Sequence, residues 1–342
     1  MFYCRKEELR KLNKRYDDGN FECVVIYGRR RVGKTTIINE FCKNKPTIFF
    51  SALLEGTAKD NLKTLSRAIY AYKEPEAVEA PEYSSFDSAL EEITRLATKE
   101  RIVFVIDEYP YLAKSYPSIS SRLQHLIDHI WKDSKLYLIL CGSSMSFMEY
   151  QVLGYESPLY GRRTGQFKIQ ALSYREVKEF NPGLTAEQQA FVYGITGGIP
   201  HYINKLAVEN DVDKALKDNL FNTSSYLYEE PENLLKQELR EPAIYNSVIA
   251  AVASGASRSN EIATKVGIEA PVCAKYLKVL LDLGILIKKT PITEKPGKKT
   301  VYAIGDNFFK FWYRFVPQNA SSISAGRIEY IYDLVIKKHY AD

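Results

Sequence analysis

Near the amino terminus, Gly28-Arg29-Arg30-Arg31-Val32-Gly33-Lys34-Thr35 matches the pattern GxxxxGK[ST]. It lies between the apolar run Cys23 to Tyr27 and a helical stretch from Thr35 to Phe41, the strand-loop-helix setting this pattern requires. Glycines let the backbone wrap closely enough for successive amides to point at phosphate oxygens, and the helix presents its positive end to the same anion. Lys34 is placed to reach the β- and γ-phosphates, and the Thr35 hydroxyl to ligate Mg²⁺. A chain with this loop must supply a parallel sheet behind it, because the loop works only at the carboxyl end of a buried strand.

The rest of the first half supplies such strands. Apolar runs at Thr47 to Phe50, Arg101 to Ile106, Leu136 to Leu140 and Gly165 to Ile169 alternate with amphipathic stretches at Asp60 to Tyr72, Phe86 to Lys99 and Ile119 to Trp131. Alternation of this kind predicts strand-helix units and an α/β fold. The run at Arg101 ends in Asp107-Glu108. Asp107 suits the Mg²⁺ shell and Glu108 suits general-base work on an attacking water, although two acids can also simply solvate a strand end. The run at Leu136 ends in Cys141-Gly142-Ser143-Ser144, whose serines either face a γ-phosphate or cap the next helix. Arg162 and Arg163, just before the fifth strand, offer charge for a transition state, while Arg29, Arg30 and Arg31 form a basic collar at the loop. Neither Asn44-Lys45-Pro46-Thr47 nor Asn204-Lys205-Leu206-Ala207 supplies the aspartate that guanine-specific loops place after Asn-Lys, so GTP is the less expected nucleotide.

With these residues in view, the chain resembles an ATPase family best known from archaea and also found in bacteria, related to the STAND and origin-recognition branches of the AAA+ class. The pieces that carry the likeness are GRRRVGKT at 28–35, FVIDEYPYL at 104–112, CGSSMSFM at 141–148, YGRRTGQFKI at 160–169 and Gly197-Gly198-Ile199-Pro200. The start, Phe2-Tyr3-Cys4-Arg5-Lys6-Glu7-Glu8-Leu9, is similar to the family's FxGRexEL element, with Cys4 in place of the glycine. The resemblance implies a P-loop NTPase sheet ordered 5-1-4-3-2, Glu108 as catalytic glutamate and Ser143 or Ser144 as sensor. It also implies a nucleotide shell of Arg5, Gly28, Arg29, Arg30, Arg31, Val32, Gly33, Lys34, Thr35, Thr36 and Pro200.

Beyond residue 171 the strand signal gives way to helical periodicity, predicting a helical lid over 172–239. Residues 240–304 read as three helices and two strands around Lys295-Pro296-Gly297, the spacing of a winged helix-turn-helix. Charge separates this segment from the rest: 10 Lys and Arg against 5 Asp and Glu, whereas 1–239 holds 32 against 33. Lys275, Lys278, Lys298 and Lys299 are the expected phosphate contacts on double-stranded DNA. Such a domain can equally be a packing surface, and no Arg, Asn or Gln on its reading face points to base recognition. In 305–342, six aromatics in eight residues from Phe308 to Phe315 read first as buried core; if a following domain is absent, this strip and a helix-like stretch from Arg327 to His339 are expected to be covered by a protein partner or a second copy. The resemblance makes it the start of a further domain.

Other classes drop out on composition. The longest apolar runs fall far below the roughly 18 residues a membrane span needs. The start lacks the apolar core of a secretory signal, which places the chain in the cytoplasm. Five scattered cysteines without a CxxC pair form neither a disulfide framework nor a zinc site. The sequence therefore predicts a slow Mg²⁺-dependent ATPase acting as a switch. The rival readings are an ATP-bound DNA-binding regulator that does not hydrolyse, and an ATPase subunit that controls a partner protein in a defence or toxin-antitoxin system.

Overall fold

The computed structural model describes residues 4–76, 80–207, 210–290 and 300–339. The chain divides into two compact units, Met1–Gln170 and Ala171–Asp342.

The first unit contains α1 (Lys6–Asp17), β1 (Glu22–Tyr27), α2 (Lys34–Cys42), β2 (Thr47–Ser51), α3 (Ala58–Lys73), α4 (Phe86–Lys99), β3 (Val103–Asp107), α5 (Tyr109–Ser115), α6 (Ile119–His129), β4 (Tyr137–Gly142), a single turn α7 (Met145–Phe147) and β5 (Gly165–Lys168). The five strands form one sheet in the order β2-β3-β4-β1-β5, which is 5-1-4-3-2 read from the other edge. All the pairings are parallel, with Val24 opposite Ile139 and Val105 opposite the same Ile139. Every residue of β1, β3 and β4 is buried, as expected where helices cover both faces of a sheet. The flanking β2 and β5 alternate between buried and open positions. Strand ends fall one or two residues from the apolar runs: β3 starts at Val103 and carries Asp107 into the ladder opposite Ser51, because register with β2 continues that far.

Local chemistry sets the helix starts. Thr57 and Ser85 each form a reciprocal capping box, with Asp60 and Ser88, at α3 and α4. The core between the sheet and these helices is built from Phe50, Leu90, Ile93, Phe104, Leu138 and Trp131, whose indole donates to the Thr94 hydroxyl at 2.8 Å.

The second unit starts with α8 (Tyr174–Val177), α9 (Ala186–Thr196), α10 (Pro200–Leu206), α11 (Val212–Leu220) and α12 (Tyr226–Glu238). There follow α13 (Pro242–Ala253), α14 (Ser259–Val266), α15 (Ala270–Asp282) and an antiparallel pair, β6 (Leu286–Lys289) and β7 (Val301–Ile304), with Leu286 opposite Ile304. The expected turn at Lys295-Pro296-Gly297 lies outside the described residues. The unit ends in α16 (Asn307–Phe315), α17 (Ala320–Ser324) and α18 (Ile328–Ile331). Where one helix was expected from Arg327 to His339, α18 gives way to a π turn and a 3-10 turn.

The aromatic strip packs as core, the first of its two readings. Phe308, Phe309, Trp312, Tyr313 and Phe315 are buried inside the second unit. Phe308 stacks on Tyr202 with centroids 4.2 Å apart, and the Trp312 indole donates to the Tyr228 carbonyl at 2.7 Å. The strip is core, because α16 turns these rings inward at helical spacing onto α10 and α12. Phe308→Ala should therefore lower the unfolding free energy by about 3–5 kcal/mol, as for other large buried side chains, and a urea titration will show it as a shift in midpoint.

Candidate functional site

The glycine-rich loop, Lys34, Thr35, Asp107, Glu108 and Ser143 converge at the carboxyl end of the sheet. The loop after β1 can form only with glycine at two positions. A Cβ on Gly28 would lie 2.2 Å from the Ile169 carbonyl oxygen, and Gly33 caps α2 with φ of 91°, in the left-handed region. Between them, Val32 is buried, with a γ-methyl packed under Gly28. Its side chain thus supports the loop from beneath.

Lys34 begins α2 and is only 6% exposed. Its ammonium donates to the carbonyls of Gly28 and Arg29, each at 3.0 Å, so it is folded back across the loop. Burial pushes its pKa down. Such a cation favours any anion that replaces water beside it. The Thr35 hydroxyl donates to Asp107 Oδ2 at 3.2 Å, and Oδ1 of the same carboxylate accepts from the Glu108 amide at 3.1 Å. Cys141, at the end of β4, is fully buried with its thiol against Asp107; burial first and the Asp107 charge second push it well above the ordinary thiol range, so it stays protonated. The Thr35–Asp107 pair consists of hard oxygen donors, one from the first turn of α2 and one from the end of β3, and it fits Mg²⁺ by chemistry and by spacing.

Glu108 caps α5 with φ of 52°, a left-handed conformation that a non-glycine residue adopts at a cost. Its Oε2 accepts from both the amide and the hydroxyl of Ser143, at 3.2 and 2.8 Å. Ser143 therefore neither caps a helix nor stands open: it holds the glutamate. Ser144 occupies the cap position of α7, and its hydroxyl makes no cap hydrogen bond. No motif predicted the Ser143–Glu108 pair; the adjacency of β3 and β4 is the signal that could have found it.

The arginines separate. Arg162 donates from Nε and Nη2 to the two oxygens of Asp128, at 2.8 and 2.7 Å, and from Nη1 to the Pro158 and Tyr160 carbonyls. Its guanidinium clamps the segment before β5 to α6. Arg163 makes one long bond to the Leu153 carbonyl, at 3.5 Å, and lies over the Tyr160 ring. Arg5, expected near the base, is buried and donates to Glu8 and to the carbonyls of Val32 and Gln170. It ties the first helix to the back of the loop. Arg30 donates to the Tyr111 hydroxyl, Arg29 and Arg31 are half-buried around the loop, and Thr36 is exposed on α2. Pro200 opens α10 in the second unit.

On α15, Cys273, Leu277 and Leu280 are buried, while Ala274, Lys275 and Lys278 face solvent. Tyr276, expected in the core stripe, is half-buried and donates to Glu241 at 2.8 Å. Lys298 and Lys299 lie outside the described residues.

Comparison with known proteins agrees with this site. The pattern of a family described as "ATPase domain predominantly from Archaea" matches residues 2–206, from the start of the chain through α10. The chain belongs to this family. An uncharacterized protein of Methanocaldococcus jannaschii is 38% identical over 331 residues, covering 95% of this chain and 71% of that protein. A segment of 45 residues is 47% identical to an uncharacterized ATP-binding protein of the same organism. Among solved structures, the fold is similar to a Walker-type ATPase of Pyrococcus abyssi, with a TM-score of 0.70 at 21% identity over 92% of this chain and 96% of that one. It is also similar to the ORC2 protein of Aeropyrum pernix in its ADPNP–ADP complexes, with a TM-score of 0.57 at 16% identity over 100% and 96%. The chain thus belongs to a P-loop ATPase family, and its fold is similar to that of these two solved proteins. Among the described residues no helix is long and apolar enough to cross a membrane.

The serine–glutamate pair makes a prediction. Ser143→Ala should lower kcat for ATP roughly tenfold, the loss of one hydrogen bond to a charged group, with little change in nucleotide affinity, and Ser143→Thr should restore it. Steady-state phosphate release together with nucleotide titration will read both.

Proposed function

We propose that the chain is a Mg²⁺-dependent ATP-hydrolysing switch that passes its nucleotide state to the second unit. The observation that carries this reading is the Thr35–Asp107 hydrogen bond, which brings the loop's hydroxyl and the acidic strand's carboxylate within one ion's reach. Loop amides from Gly28 to Thr35 would cradle the phosphates, and Lys34 would turn from its two carbonyls to the β- and γ-phosphate oxygens. Thr35 and Asp107 would hold Mg²⁺, which supplies neutralising charge when bound. Glu108, oriented through Ser143, would take the proton of a water as its oxygen bonds to the γ-phosphorus and the bond to the β–γ bridging oxygen breaks. Arg163, less committed than Arg162, is the residue proposed to add positive charge to that step.

Glu108→Gln should bind ATP as the wild type does and hydrolyse it about 10²–10⁴-fold more slowly, as expected when a general base is removed. Single-turnover hydrolysis beside calorimetric titration separates the readings: equal rates in both proteins leave a regulator that merely holds ATP.

The same proposal makes residues 240–304 a winged-helix domain in contact with DNA. Supporting it are the order of α13, α14, α15 and the β6–β7 ribbon, and the short turn through Gly267 that joins α14 to α15. Lys275 and Lys278 stand exposed on one face of α15, with no acidic partner among the described residues, and Lys288 and Lys289 are exposed on β6. Their roles would be sequence-independent phosphate contacts. Replacing Lys275 and Lys278 by Ala should weaken duplex binding and reduce the slope of log affinity against log salt by about 2, roughly one per lost contact. Fluorescence anisotropy over a salt series measures it, and an unchanged slope removes this face as the contact.

A further inference from the structure

The second unit encloses a cavity of about 510 Å³ between α9, α16 and the turns after α18. Its volume lies within the roughly 300–1,000 Å³ typical of small-ligand sites. The nucleotide chemistry uses none of its residues.

The floor is apolar and the rim is cationic. Phe191 and Ile195 of α9 face Phe311 and Phe315 of α16, whose rings lie 4.8 Å apart at a tilt. Phe311 is the one ring of the aromatic strip left half-buried, and it is open here. Lys310 and Arg314, one helical turn apart on α16, stand at the edge. Lys310 is exposed with no acidic partner among the described residues, while Arg314 lies over the Phe315 ring and donates to His339 Nδ1 at 3.0 Å. Glu187, at the start of α9, is the one carboxylate among the lining residues.

The α9 wall is kept low. Ala190 and Gly194, four residues apart, line the cavity, and a Cβ added to Gly194 would meet nothing within 4 Å. Glycine inside a helix costs about 0.5–1 kcal/mol relative to alanine, and here no neighbour demands its absence of a side chain. The space in front of it is what the glycine preserves.

We infer that this cavity binds a small amphiphilic anion, with an aromatic or aliphatic body against Phe191, Ile195 and Phe311 and a carboxylate, sulfonate or phosphate group on Lys310 and Arg314. The two halves of such a ligand match the two halves of the lining: the body covers apolar surface that water otherwise wets, and the head meets two cations against one acid. An uncharged ligand would leave the cationic rim unused, and a fully polar one the floor.

The probe is 8-anilinonaphthalene-1-sulfonate, titrated by fluorescence against the full chain, with uncharged N-phenyl-1-naphthylamine as its neutral counterpart. The wild type should bind one sulfonate dye per chain. Gly194→Leu, which fills open space, should weaken both dyes at least tenfold. The double variant Lys310→Gln, Arg314→Gln should weaken the sulfonate dye about tenfold, the worth of roughly 1.4 kcal/mol of charge-assisted contact, and leave the neutral dye unchanged. Ala190→Leu fills the cavity from the same wall and serves if Gly194→Leu shifts the thermal midpoint. Unchanged sulfonate binding in the filled variants overturns the site. Equal affinity of the two dyes, or equal effects of the double variant on both, overturns the anionic assignment.

Discussion

A lysine ammonium buried at the end of a parallel sheet, held by two carbonyls of its own loop, is the constraint around which the first unit is organised. A cation in that place is tolerable only if every neighbouring group is arranged to offset its desolvation. The loop must bend tightly enough to offer its carbonyls, so Gly28 has to pass within contact of Ile169. That approach in turn needs β5 beside β1, while Asp107 reaches Thr35 only because β3 and β1 flank the same β4. Sheet order and site chemistry are thus one requirement.

The carboxylates show a division of labour that burial alone would not produce. Asp107 is tied by donors from the loop, from the next residue and from the thiol beside it, which suits a group that must keep one orientation. Glu108 is tied through a single oxygen to Ser143. Two adjacent acids at one strand end are thus held in different ways by what donates to them.

Much of this was legible in the residues. The glycines, Lys34, Thr35 and the acid pair announce themselves by spacing, and unbroken apolar runs such as Val103 to Ile106 could only be strands covered on both faces. What stayed hidden was where long side chains end. Arg162 and Arg163 are neighbours of one type, yet Asp128 on α6 captures one of them, and nothing in their spacing shows that helix lying opposite. Arg5 is similar: its targets are carbonyls at Val32 and Gln170, groups every sequence contains. The aromatic strip left two readings open for a related reason, since six rings in eight residues do not name the surface that receives them, here α10 and α12. Sheet order came from family likeness, because a set of strand lengths does not fix their neighbours.

The backbone at Glu108 carries an implication for descent. Left-handed geometry at a side chain with a Cβ is a standing cost, and glycine or asparagine would occupy the same turn more comfortably. A lineage that no longer needed the carboxylate would be free to drift toward those residues and gain stability by doing so. A glutamate at this bend thus stands where the backbone by itself favours another residue.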